Sequence, residues 1–186
     1  MNAISLPTLF VLLGIFVFAS AFFSGSETGL MTLNRYRLSH RAKQGHGASK
    51  LAQKLLERPD RLIGMILIGN TVATTAAASV ATLIGLRMAE PGNEELGIAM
   101  ATGATTLILL IFSEVTPKTM AALHPERVGL PASYVYMVLR WPFYPFVVLI
   151  NLFSNGILRM LGVTPEQAAQ HSLSTEELRT VVAEAG

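Results

Sequence analysis

The chain has 186 residues, of which 51% are hydrophobic and 14% charged, with a formal net charge of +2. A soluble domain carries about 25% charged residues; this composition, with its apolar residues blocked into long runs, excludes an ordinary soluble domain and points to several membrane crossings. The absence of cysteine excludes disulfides, thiolate metal sites and cysteine catalysis. His40, His46, His124 and His171 form no ligand-spaced pair for zinc or haem, and no nucleic-acid partner is expected.

The first apolar segment spans residues 6–34. Its Ala19-Ser20-Ala21 stretch looks like a signal-peptide cleavage site, but no Lys or Arg precedes it and apolarity continues beyond it. A retained first transmembrane helix is the better reading. Residues 35–61 then hold Arg35, Arg37, Arg41, Lys43, Lys50, Lys54, Arg58 and Arg61 against only Glu57 and Asp60. By the positive-inside rule this loop is cytoplasmic and the N-terminus outside. Anionic-lipid contact is a secondary role for it. Residues 49–58 read as a short surface helix ended by Pro59.

A second span covers residues 62–86, and a short acidic link with Glu90, Glu94 and Glu95 suits the outside. A third span covers 96–123, and Lys118, His124 and Arg127 mark the return to the cytoplasm. Residues 134–158 are apolar but carry Arg140, Pro142 and Pro145, with the aromatic density of an interface. Prolines there favour a bent, interfacial or partly re-entrant pair of helices over a fourth crossing, leaving the C-terminus cytoplasmic. Ser174-Thr175-Glu176-Glu177 is a capping box for a helix that is still running at Gly186, which suggests a piece of a longer protein.

The expected fold is therefore an all-α integral membrane protein: three transmembrane helices with cytoplasmic-side juxtamembrane helices. A three-span core occupies 1–133, with the basic loop at 35–61. Interfacial helices occupy 134–163. A cytoplasmic linker and the start of a helix occupy 164–186.

Each span carries a polar cluster: Ser24-Gly25-Ser26-Glu27-Thr28, Gly69-Asn70-Thr71, and Ser113 to Lys118. Polar groups in hydrocarbon are costly and usually face a protein interior where they bind or relay something. An α-helix rises about 1.5 Å per residue, so Ser24, Asn70 and Glu114 lie about 16, 14 and 15 Å from Arg35, Arg61 and His124. The hydrocarbon core is about 30 Å thick, which places all three near its middle. Their side chains offer oxygen almost exclusively, a preference of hard cations.

The expected metal ligands are Ser24, Ser26, Gly69, Asn70, Ser113 and Glu114, with Glu114 the charged one. Pro117 lacks an N–H and crowds the Ser113 carbonyl, freeing an oxygen beside Glu114. Glu27, Thr116, Pro117 and Lys118 form the expected gating or pathway set. Lys118 can neutralise an empty site, gate it, or snorkel to headgroups. The plain alternative is that intramembrane hydroxyls bond backbone or bridge helices, and that Asn70 is glue between them.

Gly69, Ala73, Ala77, Ala81 and Gly85 repeat every fourth residue, echoed by Gly97, Ala101 and Thr105. Such small-residue stripes admit close helix approach, within a subunit or across a dimer axis. Ala73, Ala77, Ala81 and Ala101 are the candidate dimer face. Hydroxyls at Thr71, Thr74, Thr75, Ser79, Thr102, Thr105 and Thr106 form an outer surface suited to an ion vestibule or to ordinary glue.

At these clusters the chain resembles the transmembrane domain of the CNNM/CorC family of magnesium transporters. The resemblance rests on Phe23-Ser24-Gly25-Ser26-Glu27-Thr28, on Glu57-Arg58-Pro59 leading to Ile66-Leu67-Ile68-Gly69-Asn70, and on Glu114-Val115-Thr116-Pro117-Lys118. Where the family usually has glycine before the glutamate, this chain has Ser113. The resemblance implies three spans with juxtamembrane helices, a homodimer, cytosolic CBS domains after the membrane part, and Mg2+ export driven by Na+ entry. The leading reading is a transporter, not an enzyme, that binds dehydrated Mg2+ between three spans and alternates access in an inner or plasma membrane. The alternative is a non-transporting magnesium sensor or scaffold that regulates another transporter. A distant third is an intramembrane hydrolase with Ser24 or Ser26 as nucleophile and Lys118 as its only candidate base.

Overall fold

The computed structural model describes residues 4–160. They form α1 (Leu6–Met31), α2 (Arg35–Lys43), α3 (Gly47–Leu56), α4 (Pro59–Met88), α5 (Glu94–Ile108), a π-helical segment (Leu109–Val115), α6 (Thr116–Leu123) and α7 (Pro125–Met160). Among the described residues there is no strand.

Local sequence explains the helix starts. The Ser5 hydroxyl accepts from the Thr8 amide at 3.4 Å, and Pro7 sits in the first turn of α1. Asn34 caps α2 by accepting from the Arg37 amide at 3.0 Å. His46 caps α3 through Nδ1, which accepts from the Ser49 amide at 3.3 Å. Pro59 does not merely end the surface helix. It opens α4, whose first turn has no use for its missing N–H.

α1 and α4 run antiparallel. At one end Leu9 packs with Val80 and Ile84, joined by Leu6, Leu12, Leu13 and Phe16. At the other, Phe23 lies over Gly69, where an added Cβ would stand 2.3 Å from the ring. α5 meets α4 at Gly85 and Gly97; a Cβ on Gly85 would stand 2.6 Å from the Gly97 carbonyl oxygen. α6 returns to α1, where a Cβ on Gly25 would lie 3.1 Å from Pro117 Cβ. α1 thus touches both α4 and α6. The outer surface is apolar, with Phe10, Val11, Phe18, Val72, Leu83, Leu107 and Phe112 exposed, as lipid-facing helices require.

The alternate packings of the small-residue stripe resolve in favour of the subunit interior. Ala73, Ala77 and Ala81 are buried within one chain, so they are not available as a dimer face. Ala101 is half-buried. Ala77→Leu should consequently destabilise the monomer, by about 1–3 kcal/mol for overpacking. A detergent-solubilised variant with an unchanged unfolding midpoint would contradict this.

The segment after the third span differs from expectation. Residues 134–158 form no bent pair of helices. They belong to α7, one continuous 36-residue helix that runs through Pro131, Pro142 and Pro145. Each proline removes one backbone donor. Breaking a helix strands about four N–H and four C=O groups at the new ends, which is worse in apolar surroundings. With α7, four helices rather than three are long and apolar enough to cross a membrane. Contacts divide the chain between Tyr144 and Pro145.

The first part of α7 meets one end of the helical core. Glu126 Oε2 accepts from Arg41 at 2.8 Å, and a Cβ on Gly129 would stand 3.0 Å from the Gly29 carbonyl oxygen. The Ser133 hydroxyl donates to the Ala48 carbonyl at 3.3 Å, and Arg61 lies over the Tyr144 ring at 5.9 Å. The expected linker and capping box at 164–186 lie outside the described residues.

Candidate functional site in the membrane

The three polar clusters meet. α1 supplies Ser24, α4 supplies Asn70, and the π-helical segment supplies Glu114. Ser24 Oγ donates to Glu114 Oε2 at 3.3 Å, and Asn70 Nδ2 reaches Glu114 Oε1 at 3.5 Å. Lys118 Nζ, one turn on, pairs with Glu114 Oε2 at 2.5 Å. The Glu114 and Lys118 side chains are 32% and 46% exposed, so both charges are reachable without unfolding.

The backbone around Glu114 is itself unusual. The Thr116 amide bonds back to the Ile111 carbonyl, five residues earlier, closing the wide turn of a π-helix. Pro117 follows at once. A widened turn just before a proline relieves crowding between its ring and the carbonyl four residues back. Ser113 ties this segment to α1, its hydroxyl donating to the Val17 carbonyl at 2.9 Å.

The sequence-predicted residues therefore divide. Ser24, Asn70, Glu114 and Lys118 come together. Ser26 does not join them: its buried hydroxyl bonds the Phe23 carbonyl at 3.0 Å and the Tyr136 hydroxyl at 2.5 Å. Gly69 makes room for the Phe23 ring, and the Ser113 side chain is a tether. Pro117 packs on Gly25, while Thr116 is exposed and Glu27 half-buried one turn beyond Ser24. Of the hydroxyl-rich set, Thr74, Ser79 and Thr106 donate to carbonyls of their own helices, at 2.9, 2.9 and 2.8 Å.

Two residues bonded to members of these clusters escape a reading by clusters. Ser20 donates to Asn70 Oδ1 at 2.8 Å and so fixes which end of the amide faces Glu114. It lies one turn before Ser24 on the same face of α1, and that spacing is its sequence signal. Tyr136 is fully buried, stacked against Phe22 at 5.8 Å, and bonded to Ser26. Nothing local in its sequence separates it from its exposed neighbours. Tyr136→Phe should keep the packing and lose the bond, leaving Ser26 with only its backbone partner. The expected cost is about 1 kcal/mol of stability, read as a lowered midpoint in detergent. An unchanged midpoint would show that the bond contributes nothing.

Chemically, the site offers one carboxylate and neutral oxygens from Ser24 and Asn70, with the Lys118 ammonium already on the carboxylate. Among the described residues no group of three His, Cys, Asp or Glu side chains stands together. The arrangement is suited to a cation that takes oxygen donors and is released again.

Comparison with known proteins places this architecture. The chain is 47% identical to the UPF0053 inner membrane protein YfjD of Escherichia coli over 165 residues, covering 89% of this chain and 38% of that protein. It is 44% identical to a UPF0053 protein of Haemophilus influenzae over 186 residues, covering all of this chain and 43% of that protein. A DUF21 domain-containing chloroplastic protein of Arabidopsis thaliana is 31% identical over 159 residues, covering 83% of this chain and 22% of its own. The chain thus spans less than half the length of these relatives. Residues 10–186 match the cyclin M transmembrane N-terminal domain, and with that match the chain belongs to the CNNM family of membrane proteins.

Proposed function

We propose that this chain is the membrane part of a Mg2+ transporter, an exporter driven by Na+ entry that works by alternating access. The observation that carries this reading is the convergence of Ser24, Asn70 and Glu114 from three separate helices onto one carboxylate. Lys118 holds that carboxylate when no divalent cation does. An arriving Mg2+ displaces the ammonium from Oε2. Asn70 then presents Oδ1, released by Ser20, and Ser24 presents its lone pairs. Three side-chain donors fill half of the octahedral shell Mg2+ demands, leaving water or backbone carbonyls for the rest. Competition between Lys118 and the ion keeps affinity low enough for release.

The same reading includes a homodimer, whose face must lie on exposed helix surfaces, and CBS domains in the full-length protein. It also puts the first part of α7, up to Tyr144, at the cytoplasmic side, since Glu126, Ser133 and Tyr144 all touch the basic loop or the start of α4. The N-terminus is then outside and the C-terminus cytoplasmic. Single cysteines test this in a cysteine-free chain. Glu90→Cys should react with an impermeant thiol reagent on intact cells, and Gln44→Cys should not; the reverse pattern would invert the topology.

Flux into liposomes tests the function. Purified full-length protein should move Mg2+ against an imposed Na+ gradient, with no other protein present. Binding of Mg2+ without flux would instead select the sensor or scaffold.

A further inference from the structure

A groove of about 360 Å3 lies on the far side of Gly25 and Pro117 from the carboxylate, between α1, α6 and the start of α7. Its walls include Ala21, Phe22, Met120, Pro131 and Val135, and its only charged lining residue is Arg127. Among the described residues, Arg127 has no carboxylate within ion-pair distance. Its neighbour Glu126 is held by Arg41 at 2.8 Å and by Arg37 at 3.6 Å, so Arg127 sits at the level of the basic loop. Ala21, ten residues before the end of α1 at Met31, lies about 15 Å deeper along that helix. The groove therefore runs from a cation at the polar interface into the hydrocarbon, apolar along the way.

We propose that this groove seats one anionic phospholipid, with its phosphate on the Arg127 guanidinium and one acyl chain along Ala21, Phe22, Met120 and Val135. The charge at one end and the apolar length below it match the two halves of such a molecule. Arg forks bind phosphate oxygens in pairs, which a zwitterionic headgroup with its own ammonium satisfies internally. The acyl chain lies against Pro117 and Gly25, the residues through which α6 contacts α1 immediately behind Ser24 and Glu114. Lipid occupancy thus bears on the approach of those two helices, and the proposal stands whatever ion the carboxylate binds.

The test is native mass spectrometry of the purified full chain in detergent, titrated with phosphatidylglycerol or phosphatidylcholine of identical acyl chains. The unaltered protein should retain one phosphatidylglycerol about tenfold more strongly than phosphatidylcholine. Arg127→Gln should bring the two lipids level. Ala21→Leu, which narrows the groove, should weaken both; Val135→Phe at its open mouth serves the same purpose if the first variant does not fold. Lys54→Gln removes an exposed charge of the basic loop and should leave the preference intact. An undiminished preference in Arg127→Gln, or an equal loss in Lys54→Gln, overturns the proposal, the latter by assigning the effect to general surface charge.

Discussion

Glu114→Gln is expected to abolish detectable Mg2+ binding and transport while leaving a folded protein. The amide keeps the size and one oxygen of the carboxylate but removes the only negative charge of the converging set. It also leaves the Lys118 ammonium, which stands 2.5 Å from the carboxylate in the unaltered chain, without its counter-ion. That ammonium then repels an approaching divalent cation. Losing a charged partner in a desolvated setting costs about 2–5 kcal/mol, or a factor of about 30 to several thousand in affinity. Glu114→Gln combined with Lys118→Met removes the repulsion and should restore the unfolding midpoint without restoring binding. Lys118→Met alone should tighten equilibrium binding and slow release. Calorimetry and liposome flux on the three variants separate these effects. Wild-type affinity in a well-folded Glu114→Gln protein would remove the carboxylate from the site.

The second large effect is on the fold. Gly85→Ala should destabilise the protein by at least about 1–3 kcal/mol, because the new methyl would stand 2.6 Å from the Gly97 carbonyl oxygen. A backbone carbonyl has no rotamer to escape into, so α4 and α5 must move apart. Gly103→Ala is the control. Nothing lies within 4 Å of a Cβ there, and a mid-helix glycine costs about 0.5–1 kcal/mol relative to alanine. It should be neutral or stabilising. Equal midpoints for the two variants would show that the α4–α5 approach is not tight.

The convergence of three helices on Glu114 was legible from depth alone. Counting residues from the basic ends of the spans placed Ser24, Asn70 and Glu114 at one level, and they are the residues that meet. Counting cannot say which way a hydroxyl turns. Ser24 and Ser26 are two residues apart on a helix, and that 200° rotation sends one toward Glu114 and the other toward Tyr136. The small-residue stripe announced a close approach but not its partner, since an alanine presents the same surface to a helix of its own chain as to another's. Pro142 and Pro145 point in sequence to a break, but each removes one donor whereas a break strands several groups, and α7 runs through them. The π-helical turn before Pro117 had only that proline as a signal, and a proline is equally compatible with a simple kink.

Glu114 lies in the π-helical segment and Lys118 in the first turn of α6, so their opposite charges stay paired along the third span. Moving an elementary charge through the membrane potential involves about 2.3 kcal/mol per 100 mV. On the proposed transport reading, the pair by itself sums to zero and contributes nothing to that coupling. A bound divalent cation would add its two charges, so the field would act on the ion rather than on the pair. The lysine would thus leave the electrical cost of each half-cycle to the ions carried, Mg2+ outward and Na+ inward.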